Sequence, residues 1–87
     1  MQLPKLKVLA EAGVVRDIEV NHNAATGGWT VQVRYATRHG ERGAMLERQR
    51  GGVRTFATLD AAAHCLAGLG LSRFRVNAAG LIEGEPP

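Results

Sequence analysis

The sequence predicts an α+β fold: a two-layer sandwich in which an antiparallel sheet of about five strands carries two short helices on one face, in the order α-β-β-β-β-α-β. Two observations carry this reading. Apolar residues recur at helical spacing near the start (Leu3, Leu6, Leu9) and again at Leu59, Ala62, Ala63 and Leu66. Between and after those segments they alternate with polar residues, the period of a strand with one wet face.

The first helix is expected over residues 4–12. Pro4 suits its first turn, where a missing N–H costs nothing, and Gly13 suits the left-handed residue beyond its end. Val14, Ile18 and Val20 then alternate with Val15, Asp17, Glu19 and Asn21, and Arg16 breaks the parity, which points to an edge strand. The turn-forming stretch Asn21 to Gly28 leads into Trp29, Val31, Val33 and Tyr35, which alternate without a break with Thr30, Gln32 and Arg34. Thr37 to Gly43 reads as the next turn, Ala44 to Arg50 as a third strand, Gly51-Gly52 as a tight hairpin turn and Val53 to Phe56 as a short fourth strand. Thr58 is placed to cap the second helix and Asp60 to favour its positive end. Gly68 or Gly70 ends that helix. Ser72 to Ala78 alternates again, with Phe74 and Val76 on one side and Arg73, Arg75 and Asn77 on the other. Residues 1–78 therefore read as a single α+β domain and residues 79–87 as a flexible C-terminal tail.

The chain has 87 residues, 45% of them hydrophobic and 22% charged, which suits one small domain. At this length folding removes only about 60% of the unfolded chain's surface from water, so the core is thin. Cys65 is the lone cysteine, which excludes an intramolecular disulfide and makes the cytoplasm the default compartment. The longest apolar stretches fall well short of the roughly 20 residues that span a bilayer, and the first five residues lack the apolar core of a signal peptide. No membrane role is expected.

Lys5 and Lys7 apart, all of the 11 cations are arginines, and the formal net charge is +3. Arginine favours anion recognition, because its planar guanidinium makes forked hydrogen bonds to phosphate or carboxylate. The alternation turns Arg34, Arg73 and Arg75 away from the helices, toward a polar sheet face, and leaves Arg54 ambiguous. With Arg48 and Arg50 these residues, Arg34, Arg48, Arg50, Arg73 and Arg75, are the candidates for nucleic-acid contact. The competing reading is a solvated face neutralised by Glu47 and Glu19. The turn Arg38-His39-Gly40-Glu41-Arg42-Gly43 is either a phosphate-wrapping tip or a soluble hairpin.

His22, His39, His64 and Cys65 lack the paired spacing of a zinc site, and His64 and Cys65 diverge by about 100° on a helix, so no metal and no cofactor is expected. No phosphate-cradling glycine motif occurs, and no carboxylate pair or activated cysteine is placed for catalysis, so the expected class is not an enzyme. The thin core, the strand edges and Leu81-Ile82 fit a homodimer as well as a monomer.

The opening Leu3-Pro4-Lys5-Leu6-Lys7-Val8-Leu9-Ala10-Glu11-Ala12-Gly13-Val14 and the segments Arg54-Thr55-Phe56-Ala57-Thr58-Leu59-Asp60-Ala61-Ala62 and Gly68-Leu69-Gly70-Leu71-Ser72-Arg73-Phe74-Arg75-Val76 resemble the small partition-associated proteins encoded by plasmids and integrative elements. The likeness spans most of residues 3–78 and rests on caps, stripes and alternation. It implies a non-enzymatic accessory role in the maintenance of a mobile element, acting on DNA or on a partner protein, and it carries over no site residues. Joined to the charge pattern, it gives the expectation of a DNA-associated partition accessory protein whose weakly sequence-specific binding weakens steeply with salt. The alternative is an interaction module that regulates a partition ATPase or another acidic partner without touching DNA.

Overall fold

The computed structural model describes residues 1–83. Its elements are α1 (Leu3–Glu11), β1 (Val15–Asn23), β2 (Gly28–Thr37), β3 (Gly40–Met45), α2 (Leu59–Gly68), β4 (Arg75–Asn77) and α3 (Ala79–Glu83). The four strands form one sheet in the order β3-β2-β1-β4. β1, β2 and β3 are an antiparallel meander, whereas β4 runs parallel to β1. The class is α+β as expected, with a mixed four-stranded sheet in place of five antiparallel strands and three helices in place of two.

Each departure has a physical cause. Val53 to Phe56 is not a strand because β3 already occupies the outer edge of β2 up to Val31, whose carbonyl accepts from the Leu46 N–H at 2.8 Å. The chain then closes on itself: Glu47 bridges Val53, with Gly51 and Gly52 at φ +89° and +78°, a region that favours glycine. A single residue, Phe56, returns to β2, exchanging two 2.8 Å backbone bonds with Trp29. β4 is parallel because α2 carries the chain across the sheet to the free edge of β1, and a crossover of that length permits parallel pairing. β1 is thereby an interior strand, not an edge. The parity break at Arg16 is a bulge, across which the register shifts between Val15 and Asp17.

Helix ends follow their local chemistry. Gly13 and Gly70 sit at φ +72° and +79° just beyond α1 and α2. Thr58 caps α2, its hydroxyl accepting from the Ala61 N–H at 3.0 Å. Residues 79–83, expected as tail, form a short helix docked on β1. Gly80 is pressed against His22 so closely that a Cβ would overlap the His22 carbonyl. Residues 84–87, the rest of the expected tail, lie outside the described residues.

The registers set Ile18 beside Val33 and Val20 beside Val31, and these form the covered face with Trp29 and Tyr35. Leu6 of α1 and Ala62 and Leu66 of α2 close over it, fully buried, and Leu46 joins them from the segment after β3. With so few large side chains in the core, each one matters. Leu46→Ala is expected to lower unfolding free energy by about 2–5 kcal/mol, the range for a fully buried leucine. Urea denaturation checks this, and a loss under about 1 kcal/mol would show that the 46–56 segment is not part of the cooperative core.

Candidate nucleic-acid interface

The uncovered sheet face is set by the same registers. β1 contributes Asp17 and Glu19, β2 contributes Arg34, β3 contributes Glu41 and β4 contributes Arg75. Glu19 stands beside Arg75, and Asp17 beside Arg34. Side-chain geometry completes the pattern. Arg75 binds Asp17 twice, Nη2 to Oδ2 at 2.5 Å and Nε to Oδ1 at 3.2 Å, while its Nη1 lies 2.9 Å from Glu19 Oε2. Arg34 Nε lies 3.9 Å from Glu41 Oε1. Asp17, Glu19, Arg34 and Arg75 surround a polar cleft of about 300 Å³ whose lining includes Gln32 and Gly43.

The face is therefore not a positive surface: two guanidinium groups meet three carboxylates. The Arg75 hydrogen bonds hold the Asp17 carboxyl below its usual 3.8, with the nearby positive charges of Arg75 and Arg34 adding to the effect. In return Asp17 raises the Arg75 pKa. A depressed carboxylate pKa favours the folded state above the ordinary value, and that contribution is lost as pH falls through the folded one. Water reaches both groups, so the pair fixes geometry more than it stabilises the fold.

The five arginines read from the sequence separate into groups. Arg34 and Arg75 do project together from the uncovered face, each beside an acid. Arg73 lies ahead of β4, lining a shallow groove with Arg16, Val15 and Leu71. Arg48 and Arg50 belong to the arm between Leu46 and Phe56, where Arg48 Nε donates to the Gly51 carbonyl at 3.2 Å. Arg54 lies over the Phe56 ring, 4.7 Å from its centroid. Glu47 bridges the segment at Gln2 and does not reach the sheet-face arginines. Asp17 is the partner that sequence reasoning misses: alternation puts it on a strand face but does not show which strand the last one lies beside.

The topology gathers a different set. β1 begins, β2 ends and β3 begins at the same end of the sheet, and the segment leading into β4 passes beside Arg16 there. Arg16, Arg38, Arg42 and Arg73 all fall at this rim, exposed, and none of them forms an ion pair among the described residues. Of the acids near it, Glu41 is turned to Arg34, and Glu11 closes α1. The strands stand about 4.8 Å apart, so a rim of four strand ends spans roughly 15 Å, the length of about four phosphates along one strand of a duplex.

Among the described residues no group of three or more His, Cys, Asp or Glu side chains is placed to hold a metal ion, and no helix is long and apolar enough to cross a membrane. Cys65 is half-buried beside the core.

Helices over one face of a mixed four-stranded sheet, with an ion-paired opposite face and an arginine rim, define a small α+β sandwich. A family model described as ParC-like matches residues 2–84, and the chain belongs to the ParC-like family. No curated protein and no solved structure matches it.

Arg75→Gln is expected to raise the Asp17 pKa toward the ordinary carboxylate value. A carboxyl NMR titration reads this directly, and an unchanged Asp17 midpoint would show that the guanidinium is not what depresses it.

Proposed function

We propose that the protein is a non-catalytic, DNA-associated accessory protein of plasmid or mobile-element maintenance, contacting the phosphate backbone through the rim arginines Arg16, Arg38, Arg42 and Arg73. The observation that carries this reading is their convergence at one end of the sheet without ion-pair partners among the described residues. The sheet face contributes little to phosphate contact, since a polyanion laid on it would meet Asp17, Glu19 and Glu41. The setting in element maintenance rests on the likeness of residues 3–78 to partition-associated proteins, and membership of the ParC-like family is compatible with it. Phosphate contacts from a rim position the protein without reading bases, so binding is weakly sequence-specific.

Counterion release makes the proposal quantitative. Each neutralised phosphate contributes about −0.9 to the slope of log affinity against log salt, so four contacts lower affinity on the order of 100-fold between about 50 and 200 mM salt. In a fluorescence-anisotropy titration with a short duplex, Arg38→Gln combined with Arg73→Gln is expected to reduce that slope by about 2. Lys7→Gln on α1 leaves it unchanged. Undetectable binding at low salt, or a slope indifferent to the rim substitutions, would overturn the reading. Nuclease-resistant capture of an acidic protein through the same rim would favour the partner-protein alternative.

A further inference from the structure

The uncovered sheet face has a charge order as well as a charge balance. Crossing the strands from β4 to β3, the groups run Arg75, then Asp17 with Glu19, then Arg34, then Glu41: positive, negative, positive, negative. Such a row is self-complementary when reversed. We propose that this face pairs with the same face of a second copy, about a two-fold axis parallel to the strands.

The symmetry follows from the charges. An axis parallel to the strands reverses the row in the second copy and keeps each group's height along the strands, which sets Arg34 opposite the partner's Asp17, with the partner's Glu19 one step along the same strand, and sets Arg75 over the strand that carries the partner's Glu41. An axis lying across the strands would bring each group against its own copy and is repulsive at every position. Packed sheets stand about 10 Å apart, a gap that an arginine and a glutamate reaching toward each other can span. Arg34 is the group with most to gain: its side chain is 61% exposed, and its contact with Glu41 is long at 3.9 Å.

Four strands of about six residues give a face of roughly 20 by 20 Å, about 400 Å² per copy. That is half the ~800 Å² per partner of a standard stable interface, so the dimer is a weak, exchanging one, specified by charge more than by apolar burial. The same axis leaves strand direction unchanged, so the arginine rims of both copies lie side by side at one end of the dimer. The pairing itself rests on the charge order and not on DNA contact.

The test is sedimentation of the protein alone, at concentrations up to about 0.5 mM, in low and in high salt. Dimer is expected in low salt and monomer in high salt. Arg34→Glu and Glu19→Arg are each expected to raise the dimer dissociation constant at least tenfold, because each sets like charges across the two-fold. Mixed, the two variants regain an opposite-charge contact on each side of the two-fold, at positions 34 and 19. The acid introduced at position 34 of one copy meets the cation introduced at position 19 of the other, while the unaltered Glu19 of the first meets the unaltered Arg34 of the second. The mixture is therefore expected to recover a salt-sensitive dimer. Circular dichroism confirms folding, and if Arg34→Glu does not fold, Arg34→Gln replaces it and must still weaken association. Monomer at every concentration in low salt, a dimer indifferent to salt or to loss of Arg34, or folded variants that stay monomeric on mixing would overturn the proposal. None of these outcomes affects the rim's salt-dependent titration with duplex, so failure of the pairing and failure of the DNA reading are distinguishable.

Discussion

The interaction on which the functional surface depends is the sharing of Arg75 between Asp17 and Glu19. It exists because β4 runs parallel to β1: Glu19 is level with Arg75, and Asp17, two residues earlier on the same face, comes within reach of the other side of the guanidinium. β4 has three residues, too few for backbone pairing alone to hold it firmly, and the fork of hydrogen bonds fixes where that edge of the sheet lies. The same contact removes Arg75 as a free cation. One geometric fact therefore sets both the margin of the sheet and the electrostatic character of its open side.

Positive charge is in consequence divided by topology. Where strands run alongside one another, acids and arginines from neighbouring strands meet and cancel. Where strands begin and end, arginines from three separate chain segments are brought to one rim without such partners among the described residues. The proposed phosphate contact uses the second place and the proposed pairing of two copies uses the first. Two surfaces of different chemistry thus come from one small sheet, and neither requires a concave pocket or a perturbed catalytic group.

Much of the fold is legible in the sequence because local chemistry dictates it. The helical stripes around Leu6 and Leu66, the Thr58 cap, Gly13 and the unbroken alternation of Trp29 to Tyr35 each declare an element without reference to the rest of the chain. The bulge at Arg16 is visible as a broken parity but reads as an edge, since a sequence shows the break and not the neighbour that accommodates it. Val53 to Phe56 alternates like a strand, yet the edge it needs is already occupied by β3. Alternation turns Arg34 and Arg75 correctly to the open face. It does not assign their partners correctly, because Glu47 is drawn away to the segment at Gln2 and Asp17 meets Arg75 only through the parallel pairing. The rim arginines are present as separate signals, at a bulge, a turn and a loop, and strand direction alone unites them.

The most direct test of this division of charge is a backbone-amide NMR titration of the protein with a short DNA duplex at low salt, with the protein kept dilute enough to remain monomeric. The account predicts that resonances at Arg16, Arg38, Arg42 and Arg73 move with added duplex while those at Glu19, Gln32 and Arg75 in the sheet stay in place. Movement concentrated at Glu19, Gln32 and Arg75, with the strand ends unaffected, would contradict it.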